Sequence, residues 1–165
     1  MIPDPKQLAE QIFDLFPPAL SQSIVEEYGI DGDSEQRRAI AQEILALSIF
    51  WIECALRVSI KEPLQQQMYE HVCFLLKERW EGRFELDGSA LDGFFQDLPE
   101  KRKGYEGITQ HGGEPIEVLN HAVEQLESKG LTLSADRQLI LARFVDYVPI
   151  DEVGEVIGEI EEMLG

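Results

Sequence analysis

The stretch ILALSIFWIECALRVSI, residues 44–60, decides the fold because it forms the apolar centre of a longer helical pattern. The turn DGDS at residues 31–34 supplies an N-cap for this pattern, which runs to about Lys61. Glu53 and Arg57 interrupt the apolar stretch, which falls short of the ~20 residues that a transmembrane helix requires. The sequence therefore predicts one long core helix, about 40 Å in length, and no membrane span.

Further helices are predicted on both sides of this one, because proline, capping residues and glycine mark their ends. The sequence predicts an all-α protein of about eight helices in a compact orthogonal or irregular bundle, with no substantial sheet. One of the eight ends near Tyr28. We expect residues 1–98 to form the main bundle and residues 114–165 to add three helices packed on the same core. Residues 99–113 lack apolar periodicity, so we expect a long polar loop there.

Charge and cysteine content limit the function and the location. The 165 residues include 32 acids and 14 bases, a net charge of −18. Nucleic-acid backbones and anionic membranes would repel such a surface, so direct binding to either is not expected. Cys54 and Cys73 lie in apolar helical patterns and are interpreted as reduced thiols rather than a disulfide framework. The chain starts without the pattern of a signal peptide, and we expect a cytoplasmic protein.

The best candidates for metal ligands are Glu117, His121 and Glu124, which share one helix face. The di-iron bundle signature needs Glu-x-x-His on two helices, and the sequence contains no such motif. A solvated polar face explains the three residues without a metal. We therefore predict no catalytic residue, no metal and no cofactor. A helical enzyme, or a small-ligand or metal-binding domain that uses these residues or the 99–113 segment, is the main alternative.

Two phenylalanines break the polar arcs of consecutive predicted helices. On helical wheels, Phe50 and Phe74 each fall inside an otherwise charged arc. If both are exposed and adjacent, they form an aromatic anchor for a protein partner or for a homodimer. The alternative is that other helices of the same chain cover them.

Charged clusters provide the remaining candidate sites. The basic cluster Lys101-Arg102-Lys103 lies in the predicted loop, where it either solubilises a loop tip or binds an acidic surface. The last predicted helix carries three carboxylates opposite its apolar face, on Glu155, Glu159 and Glu162. Like charges at these spacings repel one another. We expect this acidic face to bind a basic surface, either the 101–103 cluster or a separate protein.

These patterns favour an acidic, non-enzymatic protein-interaction or regulatory protein. The expected partner is a protein with a basic surface, and a homodimer is the alternative in which the chain binds itself. An acidic inhibitor that mimics nucleic acid is a further alternative, which the net charge favours and no motif supports.

Overall fold

The fold is all-α. A computed structural model of the chain describes residues 3–17 and 33–165. Of these residues 78% are helical and none forms a strand, which confirms the predicted class. They form seven α-helices, fewer than predicted. The predicted helix that ends near Tyr28 lies outside the described residues.

The helix bounds follow the chain order. The helices are α1 (Pro5–Phe13), α2 (Ser34–Ser59), α3 (Leu64–Glu78), α4 (Leu91–Gln110), α5 (Pro115–Ser128), α6 (Arg137–Tyr147) and α7 (Ile150–Leu164). The N-cap predicted for the long helix is formed by Asp33, whose carboxylate accepts a hydrogen bond from the Gln36 N–H at 2.8 Å. The Gln36 side chain accepts in return from the Asp33 N–H at 3.2 Å. This capping box satisfies two backbone donors at the start of α2.

Helix α2 is the centre of the core. It contacts α3, α4, α5, α6 and α7, while α1 packs against α3 and α7. By length and composition α2 is apolar enough to cross a membrane, but 72% of that apolar window is buried inside the fold. Burial of a Leu or Ile side chain contributes about 1.5–3 kcal/mol. The apolar surface of α2 is therefore used to hold the other helices together.

The predicted loop at residues 99–113 is wrong, because α4 continues through Pro99 to Gln110. Proline inside a helix removes one hydrogen bond and costs about 3 kcal/mol or more, so the sequence indicated a break there. The residues that follow Pro99 include Glu, Lys and Arg, which favour helix. In α4 beyond Pro99 only Tyr105 is buried, which explains why no apolar period marks this second half of the helix.

Phe50 and Phe74 also do not form the exposed aromatic pair that the sequence suggested. Phe50 is only 2% exposed, whereas Phe74 is 54% exposed. The Phe50 ring lies 5.1 Å from the ring of Trp51 and 5.2 Å from the ring of Tyr105, measured between centroids. Helix α4 covers the charged arc of α2, so a residue inside that arc is buried. For Phe50 the alternative interpretation is therefore correct, since another helix of the same chain covers its side chain.

The difference in burial between the two phenylalanines predicts different effects on stability. Phe50→Ala should lower the free energy of unfolding by about 3–5 kcal/mol, because it leaves a cavity in the core. Phe74→Ala serves as the matched control and should change it by less than about 0.5 kcal/mol. Urea denaturation followed by circular dichroism measures both values. Equal losses in the two variants would contradict the burial of Phe50 beneath α4.

Candidate functional site

A buried carboxylate joins α2 to α4. Glu43 on α2 is only 2% exposed, and two side chains of α4 donate hydrogen bonds to it. The Lys101 Nζ donates to Oε2 and the Tyr105 hydroxyl donates to Oε1. Burial and the neighbouring Glu43 charge raise the pKa of Tyr105 well above its usual value, so its hydroxyl keeps the proton that it donates. A buried charge is costly unless it is paired in this way.

Four charged side chains form a closed ring beside this cluster, between α2 and α4. The Arg102 guanidinium lies 3.0 Å from both oxygens of Glu53, and Arg57 lies 2.8 Å from one of them. Both arginines also lie 3.7 Å from an oxygen of Glu106. The two positive and two negative charges compensate one another. Because the ring is partly exposed, each of its pairs contributes about 1 kcal/mol or less.

The basic cluster therefore does not form a free loop tip. Lys101 and Arg102 pair with α2 rather than with the acidic last helix, which contradicts the predicted contact between the cluster and that helix. Lys103 points away from these pairs and is exposed. Two of the three charges predicted to bind a separate acidic surface are thus used inside the fold.

A cleft of about 530 Å³ opens between α4 and α5, and Glu43, Lys101 and Tyr105 line part of it. His121 of α5 lines it from the opposite side, with its ring 6.3 Å from the Tyr105 ring and perpendicular to it. A Cβ atom on Gly104 would lie 2.8 Å from the His121 Nε2, which is too close. Glycine at this position therefore leaves room for the His121 ring beside α4. The rest of the lining is Asp97, Glu100, Gln125, Leu126, Lys129 and Leu131.

The three candidate metal ligands of the alternative interpretation, Glu117, His121 and Glu124, do not form a metal site. Glu117 and Glu124 are exposed on α5, and only His121 of the three lines the cleft. In the part of the chain that the structure describes, no group of three His, Cys, Asp or Glu side chains is placed to hold a metal ion. The three residues follow one another along a single helix face. A metal site needs ligands that surround the ion in its preferred geometry.

The two cysteines are partly buried free thiols. Burial is the main cause that raises the pKa of both Cys54 and Cys73 above the usual value. A nucleophilic thiol needs a lowered pKa, because the thiolate is the reactive form. Both cysteines therefore lie in surroundings that favour the unreactive thiol.

In the part of the chain that the structure describes, the acidic face of α7 has no ion-pair partner. Glu155, Glu159 and Glu162 are exposed, as the sequence predicts. Within the described ranges, no Lys or Arg side chain forms an ion pair with α7. The basic residues that do form ion pairs have their partners in or next to α1, α2, α4 and α5: Arg57, Arg79, Arg83, Lys101, Arg102 and Arg137.

No family model matches the chain, and no curated protein or solved structure matches it either. The functional inference therefore depends on the surfaces of this chain. Sequence reasoning did not single out the cluster of Glu43, Lys101 and Tyr105. The sequence does contain a signal for this cluster, because Phe50 lies in the same arc of α2 as Glu43 and Glu53. An aromatic residue between two carboxylates indicates that another helix covers the arc.

The buried pair predicts a stability change that one further substitution reverses. Lys101→Met should lower the free energy of unfolding by about 3 kcal/mol, because it leaves the Glu43 carboxylate buried without its cation. Adding Glu43→Gln removes the buried charge and should restore most of this loss. Lys103→Met is the control and should change the value by less than about 0.5 kcal/mol. Urea denaturation of the native chain, the single variants Lys101→Met and Glu43→Gln, and the double variant gives the coupling energy of the pair. Equal effects of the two lysine substitutions would contradict the pairing.

Proposed function

We propose that this chain is a cytoplasmic, non-enzymatic protein-interaction or regulatory protein that binds a protein with a basic surface. The observation that carries the proposal is the exposed acidic face of α7, defined by Glu155, Glu159 and Glu162, which has no ion-pair partner in the described chain. Opposite charge on a partner would accelerate association and set its orientation.

The physics of α7 supports this proposal. Its carboxylates lie three or four residues apart and repel one another by about 0.2–0.5 kcal/mol per pair. Glu161 and Glu162 also lie at the C-terminal end of the helix, where the helix dipole disfavours negative charge. A basic partner would relieve both penalties. Repulsion among the carboxylates destabilises the unbound chain. Its relief on binding would therefore favour the complex.

The acidic face is also open. No atom outside α7 in the described chain lies within 4 Å of a Cβ atom built on Gly154 or Gly158. The apolar side of the helix faces inward instead, where Val153, Ile157 and Ile160 are buried. A partner can therefore approach the acidic side of α7 without displacing any described segment of the chain.

Neutralising the acidic face tests the proposal. The triple variant Glu155→Gln, Glu159→Gln and Glu162→Gln should lose a partner that the native chain captures from its host at low salt. Capture should also weaken as salt rises, because exposed charges are screened over about 8–10 Å at physiological ionic strength. Mass spectrometry identifies the partner, and circular dichroism checks that the variant folds.

A matched control separates this face from general charge attraction. The exposed acids Glu114, Glu117 and Glu124 lie at or in α5, and their conversion to glutamine changes the net charge by the same amount. Capture should persist in that variant. Equal loss in both triple variants would show attraction to net charge alone and would contradict a site on α7. Displacement of the partner by duplex DNA would favour the nucleic-acid-mimicking inhibitor.

The cleft between α4 and α5 supports a second candidate function, the binding of a small ligand. Lys101 from the 99–113 segment and His121 of α5, which the sequence suggested separately, line the same cavity. Asp97 and Glu100 add carboxylates, and Lys129 adds a second ammonium group. Because both signs of charge face the cavity, a small zwitterion such as a free amino acid is the ligand class that fits it.

A substitution that fills the cleft tests this second candidate. Gln125 is an exposed lining residue, so Gln125→Trp should block the cavity without disturbing the buried cluster. A free amino acid that binds should raise the melting temperature of the native chain and not that of this variant. Gln138→Trp on the exposed side of α6 is the control and should keep the shift. Absence of any shift across the twenty common amino acids would contradict this candidate.

A further inference from the structure

Two neighbouring surface cavities share lining residues, and neither shares any with the α4–α5 cleft. One cavity, of about 480 Å³, lies between the start of α1 and α3. The other, of about 640 Å³, lies between the α2–α3 turn and the end of α7. Pro5 and Gln67 line both cavities. We call the two adjoining cavities together the α1–α3–α7 groove.

Apolar side chains form part of the groove along its whole length. Phe74 lies at one end, 54% exposed and stacked on His71 with ring centroids 5.6 Å apart. Leu64 lies beyond Gln67, and Leu164 lies at the far end, both half-buried. An exposed aromatic residue and two half-buried leucines provide apolar contacts of the kind that the apolar face of an amphipathic helix uses.

The charges that line the groove are mainly negative. Four carboxylates, of Asp4, Glu62, Glu70 and Glu161, lie along it with two ammonium groups, of Lys6 and Lys61. None of the six forms an ion pair with the described chain. Glu161 also belongs to α7, whose acidic residues have no ion-pair partner in the described chain. The groove thus combines apolar side chains with an excess of negative charge.

We propose that the α1–α3–α7 groove binds a basic amphipathic helix of the partner protein. The apolar face of that helix would contact Phe74, Leu64 and Leu164, and its Lys or Arg side chains would face Glu70 and Glu161. This inference rests on the proposed function, since it names the part of the basic partner that binds. A second copy of the chain fits less well, because two molecules of charge −18 repel each other.

Synthetic peptides of defined charge test the groove directly. The probe is a fluorescent amphipathic peptide of leucine and lysine, about 14 residues or four helical turns in length. Its binding to the full chain is measured by fluorescence anisotropy. It should bind at least about tenfold more tightly than a leucine–glutamate peptide of the same pattern, and than a scrambled leucine–lysine peptide. Equal binding of the scrambled peptide would overturn the proposal, because charge alone would then explain the affinity.

Two exposed positions allow substitutions in the groove that leave the core intact. Gln67→Arg adds bulk and positive charge where the two cavities meet, and Phe74→Ser removes the aromatic anchor. Each should weaken peptide binding by about tenfold or more. The matched controls are Gln138→Arg and Val145→Ser, at exposed positions of α6, and they should leave the affinity unchanged. An equal loss in the control variants would overturn the proposal, as would a dimer in sedimentation that Gln67→Arg dissociates.

The groove variants also separate this inference from the proposed function. If Gln67→Arg and Phe74→Ser keep the captured partner while the α7 triple variant releases it, the groove is not the docking site and the acidic face still is. If the groove variants release the partner and the α7 triple variant keeps it, the groove is supported and the α7 face is wrong. Release in both supports one continuous binding surface.

Discussion

The position of α4 depends on the burial of one carboxylate. Glu43 is buried on the central helix α2, and Lys101 and Tyr105 of α4 satisfy both of its oxygens. Helix α4 buries Phe94 and Tyr105 and packs further apolar side chains, such as Leu98 and Ile108, against the core. The polar contacts add to this packing, because they place Lys101 and Tyr105 opposite Glu43. The position of helix α5 depends in turn on α4, because α5 packs on α4 and lines the other side of the cleft.

This arrangement explains how the chain uses its charges. Acids outnumber bases by more than two to one, and most of the bases that form ion pairs bind helices to one another rather than spreading over the surface. Among the described residues, the excess of negative charge therefore falls on segments that form no ion pair, of which α7 is the clearest. The few basic side chains mostly form ion pairs within the fold, whereas many acidic side chains stay exposed to solvent or to a partner.

Local signals in the sequence predicted the elements that depend on local physics. The cap at Asp33 and the proline at the start of α5 mark real helix starts, and the exposed side of α7 follows from its period. The predictions at Pro99 and Phe50 were wrong. The continuation of the helix through Pro99 and the burial of Phe50 both depend on contacts between distant parts of the chain. A helix passes through Pro99 where α2 offers carboxylates to the residues that follow, and a charged arc is buried where another helix neutralises it. The cleft and the groove were not predictable, since each is lined by residues far apart in the chain.

The close approach of His121 to Gly104 links two positions on different helices. A side chain at position 104 would occupy the space that the imidazole fills, so the two residues share a single volume. A larger residue at position 104 would therefore require either another position of the imidazole or a smaller residue at position 121. Divergent sequences that share this fold and carry a side chain at position 104 should accommodate it in one of these two ways.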